Sequence, residues 1–178
     1  MIKTQRLTLR PWREADKPAF HNIINTPAMM SHFGGVQPRA AIDALIDQQM
    51  MGQAQVGYSM WAVEWRETGE LAGIVGLRRA PHPDTPVTGD LETGWRVAER
   101  FWGKGVAQEA AAASIAWGWA HTDLPRIVAY TVIPNVQSWR LMERLGMTRR
   151  ADLDFWHPKY PDDDPQGAMA VWAIERPA

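Results

Sequence analysis

The chain has 178 residues, 46% hydrophobic and 22% charged, with a formal net charge of −1. That length suits a single domain spanning residues 1–178, and the composition excludes a disordered or membrane-spanning chain and gives no electrostatic footprint for nucleic acid or anionic lipid. With no cysteine there is no disulfide framework, thiolate nucleophile or cysteine-held zinc, and the cytoplasm is the expected location.

The opening "MIKTQRLTLRPWREAD" becomes charged at once and lacks the apolar run of a signal peptide. Within it Leu7 and Leu9 alternate with Thr8 and Arg10, which predicts a half-buried strand over Gln5 to Arg10 that stops at Pro11. Two helices are expected between Glu14 and Met51, one presenting Ala19, Ile23 and Ile24, the other Ile42, Leu45, Ile46 and Met50. "YSMWAVEW" and "LAGIVGLRR" flank the turn-rich "RETGE", a hairpin signal, and the "PHPDTP" loop leads into a further strand, "VTGDLETGWRV".

Next comes "RFWGKGVAQEAAAASIAWGWAH", Arg100 to His121, in which two glycines and a lysine stand directly before an alanine-rich helix. "RIVAYTV" then reads as a strand, "NVQSWRLMERLG" as an amphipathic helix stopped by Gly146 in a left-handed cap, and "AMAVWAIER" as a last strand after the loop "HPKYPDDDPQG". Strands followed by alternating strand and helix imply an α/β chain, an α+β mixed sheet flanked by helices.

The glycines call for an explanation, because glycine weakens a helix start and bares its backbone. Exposed N–H groups at that end carry the positive pole of the helix dipole, so "GKGVA" reads as a phosphate or pyrophosphate cradle. A phosphate loop of the NTPase type fails, since Lys104 is followed by Gly105 and Val106. A dinucleotide fingerprint fails too, since Gln108 stands where its third glycine belongs. The plain alternative is a tight strand-to-helix turn, with alanines at 107 and 110 to 113 letting the helix lie close on a sheet.

"ETGWRVAERFWGKGVAQEA" followed by "NVQSWRLMERLGM", together with the opening "TQRLTLRPW", resembles the GNAT superfamily of acyl-CoA-dependent N-acetyltransferases, in particular the branch like the ribosomal-protein acetyltransferases RimJ and RimL. The resemblance implies a GNAT-like acyl-CoA N-acyltransferase fold. It also implies direct attack of an amine on acetyl-CoA, with the amine carried by a protein N-terminus or a small molecule. The family's turn, Gln/Arg-x-x-Gly-x-Gly/Ala, falls on Trp102, Gly103, Lys104, Gly105, Val106 and Ala107, with Trp102 in the Gln/Arg place and Arg100 offering a second register. Backbone amides at Arg96 and Val97 match those that polarise the thioester carbonyl. Ser138 matches the group that protonates the leaving thiolate, Asn135 the contact to the pantetheine arm, and Tyr130 is a weaker substitute donor.

Asn135 is also a natural helix cap, which would make Ser138 simply a third helical residue. Glu92 is the candidate base, on a strand face shared with Asp90, Gly94 and Arg96 and opposite Leu91, Thr93, Trp95 and Val97. The same pattern fits a solvated carboxylate or the partner of an arginine, and a water chain can replace a base. His21 and His121 fall on helices and His82 and His157 in loops, without ligand spacing, so no metal is expected. "PDDDP" reads as a solvated loop that could edge the acceptor site and favour a cationic substrate. Of the ten tryptophans, Trp61, Trp65, Trp95, Trp156 and Trp172 are candidates for the core or for an aromatic acceptor groove. A non-catalytic acyl-CoA-binding protein on the same fold is the competing reading, and homodimerisation is left open.

Overall fold

The computed structural model describes residues 1–177. Strands β1 (Ile2–Lys3), β2 (Leu7–Arg10), β3 (Met60–Trp65), β4 (Glu70–Arg79) and β5 (Leu91–Val97) pair antiparallel in chain order. β5 then pairs in parallel with β6 (Arg126–Thr131), and β9 (Ala168–Glu175) runs antiparallel against β6. Two short strands, β7 (Thr148–Arg149) and β8 (Phe155–Trp156), also pair with β9.

The sheet separates two apolar layers, as alternation along its strands requires. Helices α1 (Lys17–Ile24), α2 (Pro27–Met30) and α3 (Arg39–Val56) cover one face, where Phe20, Ile24, Met30, Ile42 and Ile46 bury against Ala62 and Ile74. Helix α4 (Val106–His121) covers the other, setting Ala110, Ala111 and Ile115 on Leu77, Leu91 and Ile127. Helix α5 (Val136–Arg144) lies beside β6 and buries Met142 with Ala129 and Trp172. The mixed sheet flanked by helices is therefore the architecture the sequence implies. No helix among the described residues is long and apolar enough to cross a membrane.

Three local expectations change. The region between Glu14 and Met51 holds three helices, not two, because Thr26 caps a new start with its hydroxyl on the Met29 amide at 3.2 Å and Pro27 follows at the first position. The last of them continues to Val56 and stops at Gly57 with φ 82°. The strand expected from Val87 begins only at Leu91, because Val87 to Asp90 closes a turn, with the Asp90 amide on the Val87 carbonyl at 3.0 Å. The two-residue strand β1 went unread, being too short for any period to show. Gly146, at φ 83°, takes the left-handed conformation expected of it.

Candidate active site

The sheet is split at its parallel joint. β5 and β6 pair only at Leu91 with Ile127 and Glu92 with Val128, whereas β4 follows β5 to Val97 and β9 follows β6 to Thr131. Beyond Glu92 the two halves diverge, and a cavity of about 1360 Å³ runs through the opening. The direction of the amides follows from the ladder. Ala98 donates to the Ala72 carbonyl at 2.8 Å and Ala80 to the Asp90 carbonyl at 2.9 Å. Antiparallel alternation between those ends turns the Arg96 amide toward β4 and the Trp95 and Val97 amides toward the opening. Arg96 thus reaches the cavity through its side chain, and Val97 through its backbone.

At one end of the opening lies the glycine turn. Gly103 and Gly105 have φ 72° and 74°, and Gly105 is the cap residue of α4 without a side-chain cap. This is the conformation that an L side chain resists, which is why two glycines stand there. Among the described residues the amides of Gly103, Gly105, Val106, Ala107 and Gln108 make no hydrogen bond to the chain. Trp102 does not reach outward as Gln or Arg would. It donates its indole N–H to the Val97 carbonyl at 2.6 Å, pinning the turn to the end of β5. The N-terminal segment braces the turn from behind: Arg6 donates to the Lys104 carbonyl at 2.9 Å and pairs with Glu109 of α4 at 2.7 Å. Sequence reading missed this brace, whose partners lie far apart along the chain.

Across the opening, Ser138 and Asn135 both line the cavity. Asn135 occupies the cap position of α5 without capping it, and its amide group donates instead to the Thr131 hydroxyl at 3.0 Å. The capping explanation for Asn135 is therefore not the one the chain uses. The Ser138 hydroxyl has no hydrogen-bond partner among the described residues. Tyr130 is committed: it donates to Glu92 Oε2 at 2.7 Å, and burial, followed by the Glu92 charge, holds its phenol above the ordinary range.

Glu92 is only 5% exposed and receives Arg78 in a fork, Nε to Oε2 at 3.0 Å and Nη2 to Oε1 at 2.8 Å. Burial opposes the Arg78 charge, and Glu92 more than offsets it, leaving the guanidinium firmer than usual. Oε1 accepts one bond and lies over Gly94, where an added Cβ would stand 4.0 Å away. The partner arginine was one of the alternatives the sequence left open.

The opposite end is built by two loops, one after α2 that the sequence did not single out and "HPKYPDDDPQG", read there as a loop that could edge the acceptor site. Phe33, just beyond α2, stacks over Arg96 with the guanidinium carbon 4.0 Å from the ring centroid. Tyr160 approaches from the loop before β9, and the Gly34 amide donates to Gln166 Oε1 at 2.9 Å, tying the two loops together. His82 and His157 also line this end, their rings 4.2 Å apart. Burial, then the neighbouring His82, pushes His157 down to about 4, while burial, then Arg78, lowers His82, so both are neutral near pH 7. The carboxylates of that loop do not take part: Asp164 accepts from the Gln166 amide at 2.9 Å, and Asp162, Asp163 and Asp164 stay off the cavity wall that Lys159 and Tyr160 line. Of the candidate groove tryptophans, Trp95 lines the cavity, Trp61 and Trp172 are core, Trp65 packs on Phe101, and Trp156 lies outside. No cluster among the described residues is arranged to hold a metal ion.

Residues 6–148 match the Acetyltransferase (GNAT) domain family. YnaD of Bacillus subtilis (strain 168), named an uncharacterized N-acetyltransferase, is 38% identical over 159 residues, covering 89% of this chain and 88% of the relative. The crystal structure of the acetyltransferase from Agrobacterium tumefaciens str. C58 superposes with a TM-score of 0.78 at 29% identity, covering 98% of this chain and 93% of the other. RimL, a ribosomal alpha-N-protein acetyltransferase solved in complex with Coenzyme A, shares the fold at a TM-score of 0.74 and 19% identity, covering 97% and 95%. A sheet forked beside a bared glycine turn, on a chain matched over most of its length, places this protein in the acetyltransferase (GNAT) family as an acyl-CoA-dependent N-acetyltransferase.

Proposed function

We propose that this chain transfers an acetyl group from acetyl-CoA to a primary amine by direct attack within a ternary complex. The observation that carries the proposal is the run of five unpartnered amides on the glycine turn, at the mouth of the forked sheet. A pyrophosphate fits there: the glycines let it approach, the dipole of the 16-residue α4 favours its charge, and Arg140 and Arg144 line the same cavity, while Lys104 offers its place in the turn, its ammonium lying over the Phe101 ring. The coenzyme A complex of RimL supports the same assignment for this chain.

Bound acetyl-CoA supplies an activated acyl thioester. The Val97 N–H donates to its carbonyl oxygen, an oxyanion-type contact that costs no rearrangement as charge develops. Asn135 lies along the pantetheine arm. The amine nitrogen forms the new C–N bond as the C–S bond breaks. The proton shed by nitrogen passes to Glu92 Oε1, directly or through one water, and Ser138 gives its hydroxyl proton to the departing sulfur, regaining one from solvent as Glu92 releases its own.

Calorimetric titration with acetyl-CoA tests the core of this assignment, run beside a Gly103→Glu, Gly105→Glu variant whose fold is checked by circular dichroism. Heat of binding in the native chain, lost in the folded variant, is the result that supports it. No binding by the native chain would overturn it, and binding without turnover on any amine would leave a coenzyme-binding protein on this fold.

A further inference from the structure

Arg96 is the odd charge in the cavity. It lies partly buried, it stacks on Phe33, and among the described residues its guanidinium makes no ion pair and no hydrogen bond. A guanidinium carries five donors, and partly burying it without a protein acceptor costs free energy that a single stacking contact offsets only in part. Proteins leave such a group bare where something else completes it.

The obvious partners are already used. Among the described residues Glu92 is the single carboxylate on the cavity wall, against five arginines and Lys159. Its two oxygens hold Arg78 in a fork and accept the Tyr130 hydroxyl. Arg78 and Glu92 act on Arg96 with opposite signs, and burial, followed by Arg78, lowers the Arg96 guanidinium to about 10, still charged at neutral pH.

The coenzyme phosphates do not answer this charge either. Arg96 stands opposite Ile74 in the ladder, and Ile74 packs among α1, α2 and α3, so the Arg96 side chain leaves the sheet on that face. The glycine turn opens at the start of α4, on the other face. Arg96 instead points under the two loops joined by the Gly34 and Gln166 hydrogen bond, where Phe33 and Tyr160 form the wall.

We propose that Arg96 receives an anionic group of the acceptor, so that the substrate is a small amine carrying a carboxylate, of amino-acid type, and not a polyamine. This rests on the acetyl-transfer reading above. A carboxylate matches the guanidinium fork in two parallel hydrogen bonds. The stacked ring fixes the fork in place beforehand, under the two loops joined by the Gly34 and Gln166 hydrogen bond. The neutral histidines beside it add neither repulsion nor a competing charge.

The test compares L-amino acids with their C-terminal amides as acceptors, following thiol release from acetyl-CoA. Acids should exceed matched amides by roughly ten- to a hundredfold in kcat/KM, the value of a charge-assisted pair. Arg96→Met should bring that ratio near one, mainly through KM, and Arg96→Lys should restore part of it. A second arm needs no turnover: the coenzyme A-loaded protein is titrated with N-acetyl amino acids and with their amides. Tighter binding of the acids, abolished in Arg96→Met, supports the assignment even if no amine in the panel is acetylated. Equal handling of acids, amides and diamines, unchanged by Arg96→Met, would overturn it and leave acetyl transfer standing. Failure of acetyl-CoA to bind at all would instead strike the function beneath it.

Discussion

Two charged residues on one face of β5 meet opposite fates. Glu92 is buried and held by Arg78 and Tyr130, and Arg96, two turns of the pleat further on, has an aromatic ring and no hydrogen-bond partner among the described residues. That contrast was invisible in the sequence. The alternation placed Glu92, Gly94 and Arg96 together, but Arg78, Phe33 and Tyr160 arrive from a neighbouring strand and two loops that no local pattern connects. The histidines illustrate the same limit, since their proximity depends on the loops before β5 and β9. They also give a testable consequence for stability. His157 falls to about 4 in the folded protein from an ordinary 6.5, so between those values the unfolded chain binds more protons than the folded one. Stability should be complete above about pH 6.5 and fall as pH drops toward 4, with His82 adding in the same direction. A series of melting temperatures across that range should show the decline, and His157→Gln should flatten it; an unchanged slope in the variant would rule His157 out as its source.

At the scale of elements, the strand and helix order was legible because its signals are local. Period-two alternation marked β2, the turn-rich hairpin joined β3 to β4, and Gly146 closed α5. The glycine turn was legible for the same reason, and its positive φ values are the ones its composition demands. What composition could not show is how tightly α4 lies on the sheet. An added Cβ at Gly118 would come within 2.8 Å of Leu77 Cδ1 and 3.0 Å of Leu91 Cδ2. Gly118→Ala gains about 1 kcal/mol in helix propensity yet meets a fully packed face, where extra volume costs about 1 to 3 kcal/mol. The net expectation is a loss of about 1 kcal/mol in urea unfolding, together with weaker acetyl-CoA binding, because the same helix presents the turn at its other end. A variant more stable than the native chain would show that the helix can lift without cost.

For the whole molecule, the decisive feature is a sheet that stops pairing at its middle. The sequence suggested a mixed sheet, but that its parallel neighbours part after two residue pairs is a property of strand pairing across the chain, and no window of residues announces it. Central strands ordinarily hold the slowest-exchanging amides of a domain. Here the Val97 and Trp95 amides point into a gap, so in heavy water they should trade their hydrogens at rates typical of loops while those of β4 remain protected. Adding acetyl-CoA should slow them, and mass spectrometry of peptic fragments covering Leu91 to Val97 would record the change. The middle of this protein, and not its rim, is then the place where solvent and ligand compete for the backbone.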